Sequence, residues 1–91
     1  MNVNDIILMW VKESCGDNYK MYERYPTFYN IKKHFFKPDE LLIFTFFPGV
    51  LIGRGGETVN FYKNIFKENN YNFEIKFIEL SKYSIVRELK F

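Results

Sequence analysis

The sequence predicts an α+β domain, and three observations carry the prediction. Apolar residues recur at helical spacing over 5–15 and again after Glu57. Two β-prone runs stand at 28–36 and 41–47, and the run at 73–78 alternates with the two-residue period of a strand. Between the second run and the second helical stretch stands Thr45-Phe46-Phe47-Pro48-Gly49-Val50-Leu51-Ile52-Gly53-Arg54-Gly55-Gly56-Glu57. Its Pro-Gly start and Gly-x-x-Gly end suit a short helix followed by a turn that only residues tolerating φ > 0 can make.

Asn4 or Asp5 is positioned to cap a first helix over 5–15, on which Ile6, Ile7, Met9, Trp10 and Cys15 follow at mixed helical spacing until Gly16 stops it. Residues 17–29 fit neither period, because Tyr19, Met21, Tyr22 and Tyr25 are irregularly spaced and Pro26 interrupts. The first strand is therefore open between 19–25 and 28–36. Lys37-Pro38-Asp39-Glu40 separates 28–36 from 41–47 as a turn with Pro at its second position, which reads as a β-hairpin.

The second strand is apolar on both faces, with Leu41, Ile43, Thr45 and Phe47 on one and Leu42, Phe44 and Phe46 on the other. Such strands are usually covered on both sides. Glu57 and Thr58 open the helix after the glycine turn, with acidic charge at its positive end, and Val59, Tyr62, Ile65 and Phe66 recur along it up to Asn69-Asn70. Phe73, Ile75 and Phe77 then alternate with Glu74, Lys76 and Ile78. In 81–91, Tyr83, Val86 and Leu89 or Lys90 fit a helical face whose conformation a partner can set. The expected order is helix, strand, strand, short helix, glycine turn, helix, strand, with 1–80 as the domain and 81–91 as a partner-contacting tail.

Ninety-one residues allow one modest core, because a chain this short buries only roughly 60–65% of the surface its unfolded form exposes. With 47% hydrophobic and 26% charged residues the composition is globular, and 21% aromatic residues require a core built largely from Phe and Tyr. Phe, Tyr, Asn, Ile and Lys supply 46 of the 91 residues, Ala and Gln are absent, and Lys outnumbers Arg 10 to 3. That bias fits AT-rich coding DNA, as in organelles, some microbes and phages. Cys15 is the single cysteine and no run reaches the 18 apolar residues of a membrane span, so a reduced, intracellular, non-membrane protein is expected. The net charge of +2 does not by itself indicate nucleic acid.

The order of parts around the glycine loop resembles a type II KH domain over about residues 3–80. The closer likeness is to the KH domain of the third small-subunit ribosomal protein family, whose loop reads Thr-x-x-Pro-Gly-x-x-Ile-Gly-x-x-Gly-Glu. Thr45, Pro48, Gly49, Ile52, Gly53, Gly56 and Glu57 all fall in that register. The resemblance implies a three-stranded mixed sheet packed on one face by three helices. It also implies a non-enzymatic constituent of the small ribosomal subunit, in the head near the messenger RNA path, bound to ribosomal RNA and neighbouring proteins. The alternatives are a free-standing regulator of single-stranded RNA and a phage protein imitating the ribosomal domain. With the AT-rich bias, a mitochondrial ribosome is the expected location, and the cytoplasm of an AT-rich microbe or of a phage-infected cell the alternative. The family's second, C-terminal domain has no counterpart here, which implies a truncated form or a protein split between two genes.

In this reading about four nucleotides of RNA lie with their backbone against the loop and their bases on an apolar floor. Gly53, Gly55 and Gly56 give close approach, Arg54 supplies charge, and amides at the helix start from Glu57 offer donors. Val50 and Ile52 pack beneath, and Lys63 and Lys67 reach phosphates along the helix, although they also fit an ordinary solvated face. The structural alternative is a tight turn with Arg54 in solvent. Phe46 and Phe47, and a single basic loop residue, depart from the family and weaken the attraction to phosphate.

Other chemistries lack their residues. The loop does not end in Gly-Lys-Ser/Thr, His34 and Cys15 have no ligand spacing around them, and Glu13, Glu23, Asp39 and Glu40 form no acid–base pair. No cofactor, metal, small-molecule substrate or membrane partner is expected. Lys32, Lys33, His34 and Lys37 form the one basic cluster, a wet strand edge or an RNA contact.

Overall fold

A computed structural model describes residues 1–16, 27–81 and 84–91. The 19–25 candidate for the first strand and Tyr83 lie outside the described residues. Along the chain run α1 (Val3–Cys15), β1 (Phe28–Lys32), β2 (Glu40–Thr45), the five-residue α2 (Pro48–Ile52), a 3-10 turn (Arg54–Gly56), α3 (Glu57–Glu68), β3 (Glu74–Leu80) and β4 (Ile85–Lys90).

α1 starts earlier than the apolar spacing suggests, because its cap is Asn2 rather than Asn4 or Asp5. The Asn2 side chain accepts from the Asp5 amide at 2.8 Å, and Asp5 brings negative charge into the first turn. The added residues align Val3 with Ile6, Ile7, Trp10 and Val11 in one buried stripe, with Met9 and Cys15 at its border. Gly16, at φ +48°, ends the helix. α3 ends in a Schellman motif that its Asn-Asn pair makes possible: Asn70 takes φ +68°, Asn70 N donates to Lys67 O at 3.0 Å, and Tyr71 N to Phe66 O at 2.8 Å. The Tyr71 and Phe66 rings meet edge to face above that turn.

The predicted hairpin is present, antiparallel from Phe28↔Phe44 to Lys32↔Glu40. β1 stops at Lys32, however, so the connection is the loop 33–39 rather than a four-residue turn. Pro38 has no amide to extend the ladder. β3 runs parallel to β2, from Glu40↔Glu74 to Thr45↔Glu79, which makes α2 and α3 a crossover.

The expected three-stranded sheet is corrected to four strands in the order β1-β2-β3-β4. The tail, expected to show a helical face, pairs antiparallel with β3 through Phe77↔Leu89 and Lys76↔Lys90. The amide and carbonyl of Phe91 both bond to Ile75. Leu89 and Phe91 thus stand on the helix side with Arg87, Glu88 and Lys90 around them. Cross-strand charges complete the edge, Arg87 Nε to Glu79 at 3.1 Å and Lys76 Nζ to Glu88 at 3.0 Å.

Two long helices and the α2 turn cover one face of the sheet. There Trp10 stacks on Tyr62 at 5.0 Å and meets Phe77 edge-on at 5.8 Å, beside Leu41, Ile43 and Ile75. The Trp10 indole N–H donates to Leu51 O at 3.0 Å, which gives the buried ring its polar partner and ties α1 to α2. The other face carries Phe28 stacked on Phe44 at 4.8 Å, with Leu42 and Ile78 alongside. No helix among the described residues covers it, and Phe28 is 54% exposed. β2 is therefore double-faced as its sequence suggests, but the domain's helices cover only one of its sides. No helix among the described residues is long and apolar enough to cross a membrane.

Candidate nucleic-acid interface

The approach to the glycine loop is fixed by Thr45. Its buried hydroxyl accepts from the Phe47 amide at 3.1 Å and from the Thr27 hydroxyl at 3.2 Å, which turns the chain out of β2. Pro48 then occupies the first position of α2, where no amide is needed. Gly53 N donates to Gly49 O at 3.0 Å and closes the helix.

Gly53 sits at φ +75°, ψ 174°, a region essentially confined to glycine. An added Cβ would stand 2.8 Å from Thr58 Cβ and 3.1 Å from its amide nitrogen. The missing side chain of Gly53 is therefore turned against the domain's own α3. Gly55, at φ +62°, has nothing within 4 Å of an added Cβ, so it presents the open stretch of backbone. Two amides of the loop are already used: Gly56 N donates to Gly53 O at 3.2 Å, and Glu57 N to Arg54 O.

Arg54 is exposed at the apex, and no carboxylate of the described residues pairs with it. Of the apolar residues expected beneath the groove, Ile52 is half-buried against the core, whereas Val50 stands 38% exposed in solvent. Leu51 between them is the buried anchor. Glu57 is exposed in the first turn of α3. Lys63 follows Gly56 by seven residues, about two turns down the same side of α3, and exposed Lys67 lies one turn further. These residues form a line down one flank of the helix.

That flank opens onto a cleft of about 340 Å³ lined by Lys63, Lys76, Lys90, Phe91, Glu40 and Glu74. Phe91 is the residue that links the cleft to the loop. A Cβ on Gly56 would touch its ring at 3.9 Å, and the ring packs edge-on against Phe77 at 5.7 Å. Phe91 and Lys90 escape a reading that treats the tail as helical. Their signal is the alternation of Leu89 and Phe91 with charged neighbours.

The opposite flank of α3 is acidic. A cleft of about 360 Å³ there is lined by Glu13, Ser14, Glu57, Thr58, Phe61 and Tyr62. The buried Tyr62 hydroxyl donates to Glu13 Oε2, and burial together with that carboxylate holds its pKa above the usual tyrosine range. Among the described residues no group of His, Cys, Asp and Glu is arranged to hold a metal ion. The two flanks thus differ in charge, three lysines with Glu40 and Glu74 around Phe91 on one and Glu13 and Glu57 without a lysine on the other.

No protein-family model matches the chain, and no curated protein or solved structure matches it either.

Proposed function

We propose that the chain is a non-enzymatic RNA-binding protein, a type II KH domain serving as a structural constituent of the small ribosomal subunit in an organelle. It would bind ribosomal RNA and neighbouring proteins in the subunit head. The carrying observation is the exposed Arg54, which pairs with no carboxylate of the described residues, at the apex of a glycine loop that joins two helices between parallel strands. RNA backbone would pass over Gly55 and Arg54, and bases would descend toward Phe91 with Lys63 and Lys90 flanking them. The acidic flank of α3 sets the side on which the RNA lies, since phosphates are repelled there.

The sheet face with Phe28, Phe44 and Leu42, which no helix of the described residues covers and on which Phe28 is 54% exposed, supports an assembled protein over a free-standing regulator. Charge reversal tests the loop. Arg54→Glu is expected to weaken binding of single-stranded RNA about 10-fold and to lower the salt slope of log K by roughly 1, read by fluorescence anisotropy across a salt series. Unchanged affinity and slope would remove Arg54 from the interface and leave the loop as a turn.

A further inference from the structure

The largest apolar side chains left in water stand at the tip of the β1–β2 hairpin. Phe35 and Phe36 are each 91% exposed and contact one another edge to face at 4.5 Å, so ring faces remain free. They contribute nothing to the core, and two adjacent exposed phenylalanines are not the ordinary scatter of surface apolar residues. Around them Lys32 at the end of β1 and Lys33 and Lys37 in the loop are all exposed, and the loop's one acidic residue, Asp39, stands at its far end beside Glu40. The stem is fixed by the Lys32↔Glu40 pairing and by His34 Nε2 standing 3.9 Å from the Glu40 carboxylate.

Glu40 also lines the cleft that holds Lys63, Lys90 and Phe91. The hairpin tip therefore leaves the sheet at the end that carries this cleft, and the Phe91 ring in the cleft reaches Gly56 of the glycine loop. Free aromatic faces flanked by exposed lysines are what unstacked bases and their phosphates require together. We infer that the hairpin tip is a second RNA contact, in which Phe35 and Phe36 stack on unpaired bases while Lys32, Lys33 and Lys37 hold the flanking phosphates. The inference rests on the RNA-binding reading above and extends the path of one strand from the glycine loop, past Phe91, to the tip.

A fluorescein-labelled oligouridylate titrated into the full chain tests it, with F35A/F36A and F35L/F36L as variants and Arg54→Glu as the comparison. Both double variants remove only side chains that stand in water, and circular dichroism checks that they stay folded. The expected result is a loss of affinity of about 10- to 100-fold in both, since leucine retains apolar bulk but cannot stack. Wild-type affinity in either double variant overturns the inference. If Arg54→Glu still weakens binding in that case, the glycine-loop reading stands without the tip. No binding of RNA by the unmodified chain overturns both. Tip-dependent binding to phosphatidylcholine–phosphatidylserine vesicles, with RNA affinity unaffected by the tip variants, would assign the tip to lipid and also overturn it.

Discussion

At the residue scale, the glycines of the loop have separate tasks that their motif does not reveal. Gly53 is required by the fold, because its backbone conformation and the Thr58 side chain both exclude a Cβ. Gly55 is strained by a side chain only through its positive φ. Gly53→Ala is therefore expected to cost roughly 2–4 kcal/mol, and Gly55→Ala about 1 kcal/mol. Urea unfolding of the two variants checks this, and equal costs would contradict it. The motif thus identified the loop, but not which glycine faces inward, since that depends on where Thr58 falls once α3 has docked. Thr45 is a similar case. It belongs to the motif by position, and its buried hydroxyl shows why a serine or threonine suits the site.

At the scale of elements, α1 and α3 are joined by the Trp10–Tyr62 stack and by the Tyr62 hydroxyl on Glu13. The hydroxyl's pKa is raised in the folded protein above its unfolded value near 10. The folded state then keeps a proton that the unfolded state gives up, so this contribution is intact below about pH 10 and is lost as pH rises further. Tyr62→Phe keeps the stack and removes the titrating group. It is expected to cost about 1–2 kcal/mol at neutral pH and to flatten the fall in stability above about pH 10. Urea unfolding of both proteins between about pH 8 and 11 measures the difference, and parallel curves would contradict the assignment.

The long helices and β3 are legible because each buries one face and so imposes a single period on its residues, whereas the hairpin shows in its two β-prone runs and the Pro38 between them. β4 is not legible, since it is an edge strand with exposed Ile85, Val86, Arg87 and Glu88 and only Leu89 and Phe91 turned inward. A stretch with so little burial carries almost no periodic signal. The hairpin turn was misplaced for a related reason: Phe35 and Phe36 look like strand residues by type, yet they stand in solvent beyond the last pair of the ladder.

For the whole molecule, the sheet divides the domain into a face covered by helices and a face that no helix of the described residues covers. The hairpin tip leaves the sheet at the cleft-bearing end, and the Phe91 ring connects that cleft to Gly56 of the glycine loop. Lysines gather on one flank of α3, in a cleft that also holds Glu40 and Glu74, and the other flank carries Glu13 and Glu57 with no lysine. That sorting was beyond the sequence, because it depends on β4 bringing Lys90 and Phe91 beside Lys63. The Arg54 and Lys63 positions themselves followed from the loop motif and from helical spacing.

The proposed place of the chain in a small ribosomal subunit is tested most directly by sedimentation. The tagged chain, extracted from its native cell, would be run through a sucrose gradient at high salt, where loosely held factors dissociate. Co-migration with the small subunit is the predicted result. Release into the top fractions would contradict the structural role, and any RNA contact at Arg54 and the hairpin tip would then serve a free-standing RNA-binding protein.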